Sequence, residues 1–338
     1  MKNRWKRAVT AFTIAVIIIG TVACSQERNR SIENTIPGGD NRETENANSG
    51  NVQSGDTDHV SEVSMHHAHG MSYSPDGSKI YFAVHDGLRI YENGQWKLPA
   101  GERHDYMGFS MTDDGFYSSG HPAPGSDKKN PLGIIKSTDE GRSFTPLAFY
   151  GQVDFHGLSV GYKSHAIYVY NPEPNPKMET LGLYYSTDEA DSWTKSAMSG
   201  LEGQPEALAV HSADEAIVAV GTSEGIFVSS NYGDRFEKIG PEMRVTSLYF
   251  NVEGALLAGA VNKQPAFVRI DPETKQTEEL KIPALKEDLI AFVGQSPVNE
   301  KDIAFMTMHK DVYISSDGGD TWSKIADKGI GKSVQVDP

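Results

Sequence analysis

The residues of this chain best suited to chemistry are its histidines and the acids beside them. His66, His67 and His69 lie close together, His85 precedes Asp86, His104 precedes Asp105, and Asp154 stands two residues before His156. His121 and His309 complete the set. Imidazole can ligate a metal, exchange protons near neutral pH, or hydrogen-bond a polar ligand. Histidine and aspartate without thiolates suit a divalent or copper ion of N/O type. Met65, Met71 and Met107 would help soft copper, although methionine at such positions is more often core filler. His67 and His69, like Asp154 and His156, are two apart, so each pair shares one side of an extended segment. A two-carboxylate hydrolase could draw on Asp86, Asp105, Asp154, Glu206, Glu224 or Glu242. Asp154 is the candidate catalytic residue, because it accompanies His156.

These side chains need a scaffold that brings distant segments together, and the sequence repeats. Short apolar runs begin at Gly87, Gly133, Gly182, Gly225, Ala266 and Asp311. A period in the forties with several short strands per unit signals a propeller. The runs are followed by a second motif. Ser315, Asp317, Gly319, Thr321 and Trp322 read S-x-D-x-G-x-T-W. Ser137, Asp139, Gly141, Ser143 and Phe144 repeat it. Ser186, Asp188, Ser192 and Trp193 do so with Ala190 in the glycine place, and Ser229, Asn231, Gly233 and Phe236 form a weaker copy. The short acid or amide carries a tight turn, glycine takes a conformation that a side chain opposes, and the aromatic anchors the turn on the core. Glu92-Asn93-Gly94 and Asp271-Pro272-Glu273-Thr274 are turn sequences in the two units without the motif.

The four copies resemble the Asp-box of sialidase-like β-propellers. The resemblance implies that each box joins the third and fourth strands of a blade, on the face away from the site. The expected fold is all-β, a six-bladed β-propeller with four-stranded blades. The end segment, about 333–337, is expected to pair with the first blade or to form part of a seventh. Strands alternate in direction, so the blade-to-blade loops and the loops between second and third strands share the opposite, top face. His67, His69, His85, Asp86, His104, Asp105, His121, Asp154, His156 and His309 all map there. His69, His85, Asp86, His104, Asp105, His121 and His156 are the candidate binding residues. His67, His69, His121 and His156 are the candidate metal ligands. His165 and His211 fall on the bottom face. Singly, each top-face histidine could instead bond backbone groups of adjacent blades and lock the ring.

Over about residues 64–326 the chain also resembles a bacterial lipoprotein group of Asp-box propellers named as glycosyl hydrolases. That resemblance rests on Gly115-Phe116-Tyr117-Ser118-Ser119-Gly120-His121-Pro122, on His104-Asp105-Tyr106-Met107-Gly108 and on Asp154-Phe155-His156-Gly157. It implies a glycan-related enzyme or glycan binder. The sialidase pattern itself, with three arginines on a substrate carboxylate and a Tyr–Glu pair, is not matched. Arg269-Ile270-Asp271-Pro272 lies late and leads into a bottom turn, and only Arg103 and Arg244 fall in top loops.

The N-terminus sets the compartment. Lys2, Arg4, Lys6 and Arg7 precede an apolar stretch, Ala8 to Val22, in the manner of a signal peptide over 1–23. Thr21-Val22-Ala23-Cys24 resembles a lipobox, and Cys24 is the only cysteine. We therefore expect lipidation at Cys24, a disordered tether over 24–60, and a domain over 61–338 outside a bacterial cytoplasmic membrane. The net charge of −15, more negative once the leader is removed, argues against nucleic acid as a partner. We expect a monomer. Its top face is expected to hold a glycan or protein ligand. A His/Asp metal site and a non-catalytic assembly scaffold are the alternative readings.

Overall fold

The computed structural model describes residues 58–333. The leader and Cys24 lie outside the described residues, as do 334–338. The described residues are all-β and form six four-stranded antiparallel blades in a ring. Blade one consists of Ala68–Tyr73, Lys79–Val84, Gly87–Glu92 and Gln95–Leu98, from the innermost strand outward. Blade two consists of Asp105–Thr112, Gly115–His121, Ile134–Ser137 and Thr145–Ala148. Blade three consists of Leu158–Val160, Ile167–Asn171, Gly182–Ser186 and Thr194–Lys195. The innermost strands of the remaining blades are Pro205–Val210, Arg244–Phe250 and Ile290–Gln295.

Blades pack face to face, so a blade's middle strands are covered on both sides. Their sequences are accordingly continuous apolar runs rather than alternating ones. Val218–Thr222 and Ile303–Thr307 are buried at every position. The apolar side chains fall into six clusters, one at each junction between adjacent blades. Blade six meets blade one through Met71, Phe82 and Trp96 against Ala304 and Met306.

Of the end segment expected to take part in ring closure, about 333–337, all but Ser333 lies outside the described residues, and within them the start of the domain bridges the two end blades. The chain enters as an outer fifth strand on blade one, with Asp58–Val60 paired to Gln95–Leu98. It crosses at Ser61 and lies along the outer edge of blade six, where Glu62–Ser64 pairs with Ile330–Lys332. The sheet therefore takes in residues that the tether was expected to contain. Ser333 fastens the crossing: its Oγ donates to Val60 O (2.7 Å) and accepts from Trp96 N (2.9 Å). No seventh blade forms among the described residues. Gly331 permits this approach, since a Cβ there would lie 2.3 Å from the Trp96 ring.

The four repeated turns share one hydrogen-bond scheme. Ser315 Oγ donates to Asp317 Oδ1 (2.7 Å) and accepts from the buried Gly319 N (2.9 Å). Asp317 also accepts from Thr321 N (2.9 Å) and Thr321 Oγ1 (2.6 Å). Those bonds hold the Asp317 carboxyl down at about 2, and the same pattern holds Asp188 there. Asp139 and Asn231 make the matching contacts. The glycine place has φ between 74° and 100° in all four turns, with Ala190 at 74°. Phe144, Trp193, Phe236 and Trp322 pack on the junction clusters as expected. Ser315→Ala would strand the Gly319 N–H. We expect it to lower unfolding free energy by about 1–3 kcal/mol, read by urea titration, while Thr321→Val should cost less because its hydroxyl faces solvent.

Candidate functional site

The innermost strands line a central cavity of about 590 Å³. Its wall carries aromatic residues (Phe109, Tyr162, Tyr170, Tyr249 and Phe292) and several serines. Five of the six innermost strands shift register in their top half. The shifts fall at His69, between Met107 and Ser110, and at Glu206, Thr246 and Ala291. An extra residue in a strand re-aims the side chain it carries. His69, Glu206, Thr246 and Ala291, with Gly108 and Phe109, all line the cavity. Hydropathy patterns carry no mark of these shifts, so residues such as Thr246 and Ala291 give no signal of their place in the cavity wall.

At the mouth of this channel, blades one to three bring together two sets of a carboxylate between two imidazoles. In the first, Asp105 opens the innermost strand of blade two and is buried, at 6% exposure. Its Oδ2 lies 2.9 Å from His85 Nδ1, and its Oδ1 lies 3.5 Å from His69 Nε2. Among the described residues, neither His69 Nε2 nor Asp105 Oδ1 has a hydrogen-bond partner. The strands come this close because residue 70 is glycine: a Cβ there would sit 2.6 Å from Phe109 Cβ. Burial, then repulsion from Asp154, raises the Asp105 carboxyl against the pull of His85, His69 and His121. Burial lowers His69 below the usual imidazole value, only partly offset by Asp105.

In the second set, Asp154 Oδ2 lies 2.8 Å from His156 Nε2 and 3.4 Å from His121 Nε2. Asp154 Oδ1 accepts from Ser119 Oγ (3.2 Å), and Ser119 Oγ accepts from Phe155 N (2.9 Å). His121 is the cross-strand partner of Asp105, which ties the two sets together. His121 Nδ1 also meets Asn130 Oδ1 at 2.7 Å. His85 and His156 are exposed, while both carboxylates lie below them. Such an arrangement suits an imidazole that moves protons while a carboxylate orients it. In such a pairing Asp154 would take the orienting part, since its oxygens are already engaged.

Other expected site residues do different work. Asp86 forms a two-pronged ion pair with the buried Arg89 (2.7 Å to each oxygen). His104 is buried against Tyr106 and Phe144, and its Nδ1 accepts from Ala123 N (3.0 Å). Neither belongs to the two sets. His67 stands beside His85, ring centres 5.7 Å apart, and pairs with no acid among the described residues. The expected metal quartet therefore divides: His69 lies on Asp105, His121 and His156 on Asp154, and His67 on neither. His309 lies 3.6 Å from Asp288 on blade six. Of the remaining top-face acids, Glu206 pairs with Arg244 (2.9 Å) and Glu242 with Lys238 (3.6 Å). Glu224 accepts from Ser223 Oγ.

Burial lowers His104, with Glu102 opposing and Lys128 adding to the effect. A histidine whose folded pKa lies below its unfolded value leaves the unfolded chain to take up the proton first. Its contribution is complete above the unfolded value and is lost as pH falls through that value toward the folded one. His104→Gln should therefore flatten the decline of Tm between about pH 7 and about pH 5, measured by scanning calorimetry. A parallel decline in variant and parent would contradict the assignment.

No protein-family model matches the chain, and no curated protein matches it. Among solved structures, the GH74 enzyme of Niastella koreensis aligns at 15% identity and a TM-score of 0.52, over 80% of this chain and 46% of that one. This chain thus corresponds to about half of the GH74 enzyme. A gluconolactonase of Xanthomonas campestris aligns at 12% identity and a TM-score of 0.52, over 72% of this chain and 84% of that one. At these identities the likeness is one of fold, and the chain is a six-bladed β-propeller.

Proposed function

We propose that the protein binds a polyhydroxylated, glycan-type ligand at the top of its channel. The observation that carries this reading is the meeting of two imidazole–carboxylate sets with the mouth of a cavity walled by aromatic and hydroxyl side chains. Sugars are held by such a mixture: ring faces take the C–H surfaces, and fixed polar groups take the hydroxyls. The GH74 enzyme and the gluconolactonase support a carbohydrate setting by likeness of fold alone. If turnover occurs, His156 is the proton-handling group, because it is exposed and the Asp154 beside it is engaged with imidazoles and the Ser119 hydroxyl. A scaffold role would draw on a continuous exposed apolar patch. Leu181, Val298 and Met308 are the exposed large hydrophobics among the described residues, and they stand on separate loops.

The test is a glycan-binding screen of the purified protein, followed by titration calorimetry of hits. Asp154→Asn keeps the shape but weakens the hold on His156, and each lost charge-assisted contact should cost about 1.5–3 kcal/mol, a tenfold or greater loss of affinity. Tyr170 lines the cavity, and its buried hydroxyl has no partner. Tyr170→Phe should therefore keep or raise the Tm. Sugar binding that ignores Asp154→Asn would move the ligand elsewhere.

We also propose that the domain is displayed outside the cytoplasmic membrane, held there by lipid on Cys24, with the repeated turns serving as Asp-boxes. Metabolic labelling with a fatty acid should mark the parent chain in a bacterial host. Cys24→Ala should abolish the label and release the domain from the membrane fraction.

A further inference from the structure

We propose that His69, His85 and Asp105 form a metal site for a zinc-class dication, open on its channel side. This goes beyond ligand binding and does not depend on the ligand being a glycan. The three residues offer ligand atoms that all lie within 4.8 Å of one another. Zinc bonds to N and O are about 2.0–2.2 Å long, so tetrahedral neighbours stand about 3.3–3.5 Å apart. The observed separations of 3.5 Å for His69 Nε2 to Asp105 Oδ1 and 2.9 Å for His85 Nδ1 to Asp105 Oδ2 need only small side-chain shifts.

Spacing alone would not distinguish a metal site from an ion pair. The distinguishing observation is that Asp105 is more than nine-tenths buried and its Oδ1 has no hydrogen-bond partner, and neither does the His69 Nε2 that faces it. Two such atoms in contact normally resolve into a hydrogen bond, because an unpaired buried polar group costs about 1–3 kcal/mol. Here they face each other without one. A dication between the two atoms satisfies both, since it takes a lone pair from a neutral imidazole and from a carboxylate.

The other candidates lack this feature. Asp154 has Ser119 on one oxygen and two imidazoles near the other. On the bottom face, Asp113, Asp114 and His165 also come together. There His165 Nε2 meets Asp113 (2.7 Å), and Asp114 is held by Lys136 (2.8 Å) and Thr112 (3.0 Å). Two imidazoles and one carboxylate are a donor set that catalytic zinc sites use, with the fourth position left to water or ligand. His69 lines the cavity, so that position would adjoin the channel.

The experiment uses the full-length chain, stripped with chelator and titrated with zinc by calorimetry, with cobalt(II) absorption as a readout of tetrahedral coordination. One equivalent of zinc per chain is expected. Changes to groups that merely support a ligand cost about 10–100-fold in affinity, so His85→Ala and Asp105→Asn should each weaken binding by at least that much and remove the cobalt bands. His85 is exposed, so His85→Ala keeps the test readable even if Asp105→Asn disturbs folding. His67→Ala, His121→Ala and Asp113→Asn should leave the stoichiometry unchanged. Failure to bind a stoichiometric metal would overturn the proposal, as would binding indifferent to His85→Ala or abolished by Asp113→Asn. A glycan screen run with and without zinc keeps the two proposals separable.

Discussion

Face-to-face packing of the blades is the constraint on which this molecule depends. A single four-stranded blade has two apolar faces and cannot bury either alone. Each finds cover only against a neighbour, so the chain is stable when the last blade meets the first. The six junction clusters are the same solution repeated around a ring. Everything outside the junctions is freed from packing duty. That freedom leaves the loop ends on the top face available for polar side chains that a core would reject.

The same constraint explains what the sequence made legible. Buried middle strands must be apolar and turns must be tight, so the period, the six units and the repeated turns could all be read from residues such as Ser315, Asp317 and Gly319. Closure was hidden because it runs through backbone pairing. Asp58–Ser64 is mostly polar, and its strands sit on outer edges where one face meets solvent, so it looks like the tether that precedes it. The few side chains that matter there, Ser333 and Gly331, are small and carry no pattern. Register shifts on the innermost strands are equally silent, although they decide which residues reach the channel.

The candidate site was legible in part for a related reason. Strand parity assigns a face, and that sufficed to gather His69, His85, Asp105, His121, Asp154 and His156. It does not assign partners. Asp86 and His85 are adjacent, yet Asp86 turns to Arg89 while His85 turns to Asp105 on the next blade. His104 and Asp105 are adjacent too, and alternation along the strand sends one toward Phe144 and the other toward the mouth. Neighbours in sequence are the residues least able to share a site when the chain is extended.

What remains is why a stable ring would keep Asp105 where it is. A buried carboxylate loses hydration worth several kcal/mol, and imperfect neighbours return only part of it. The His104 pocket shows that this chain can bury a polar side chain well: the ring is packed by aromatics and its nitrogen is bonded to a backbone N–H. The Asp105 set sits one residue away and is left with two atoms unpaired. Packing does not require that contrast, since Asp105 is no member of the junction cluster that holds its neighbour Tyr106. Polar groups that burden the fold are kept for binding or chemistry more readily than for stability. A cation shared by the two unpaired atoms, as proposed above, would account for that contrast.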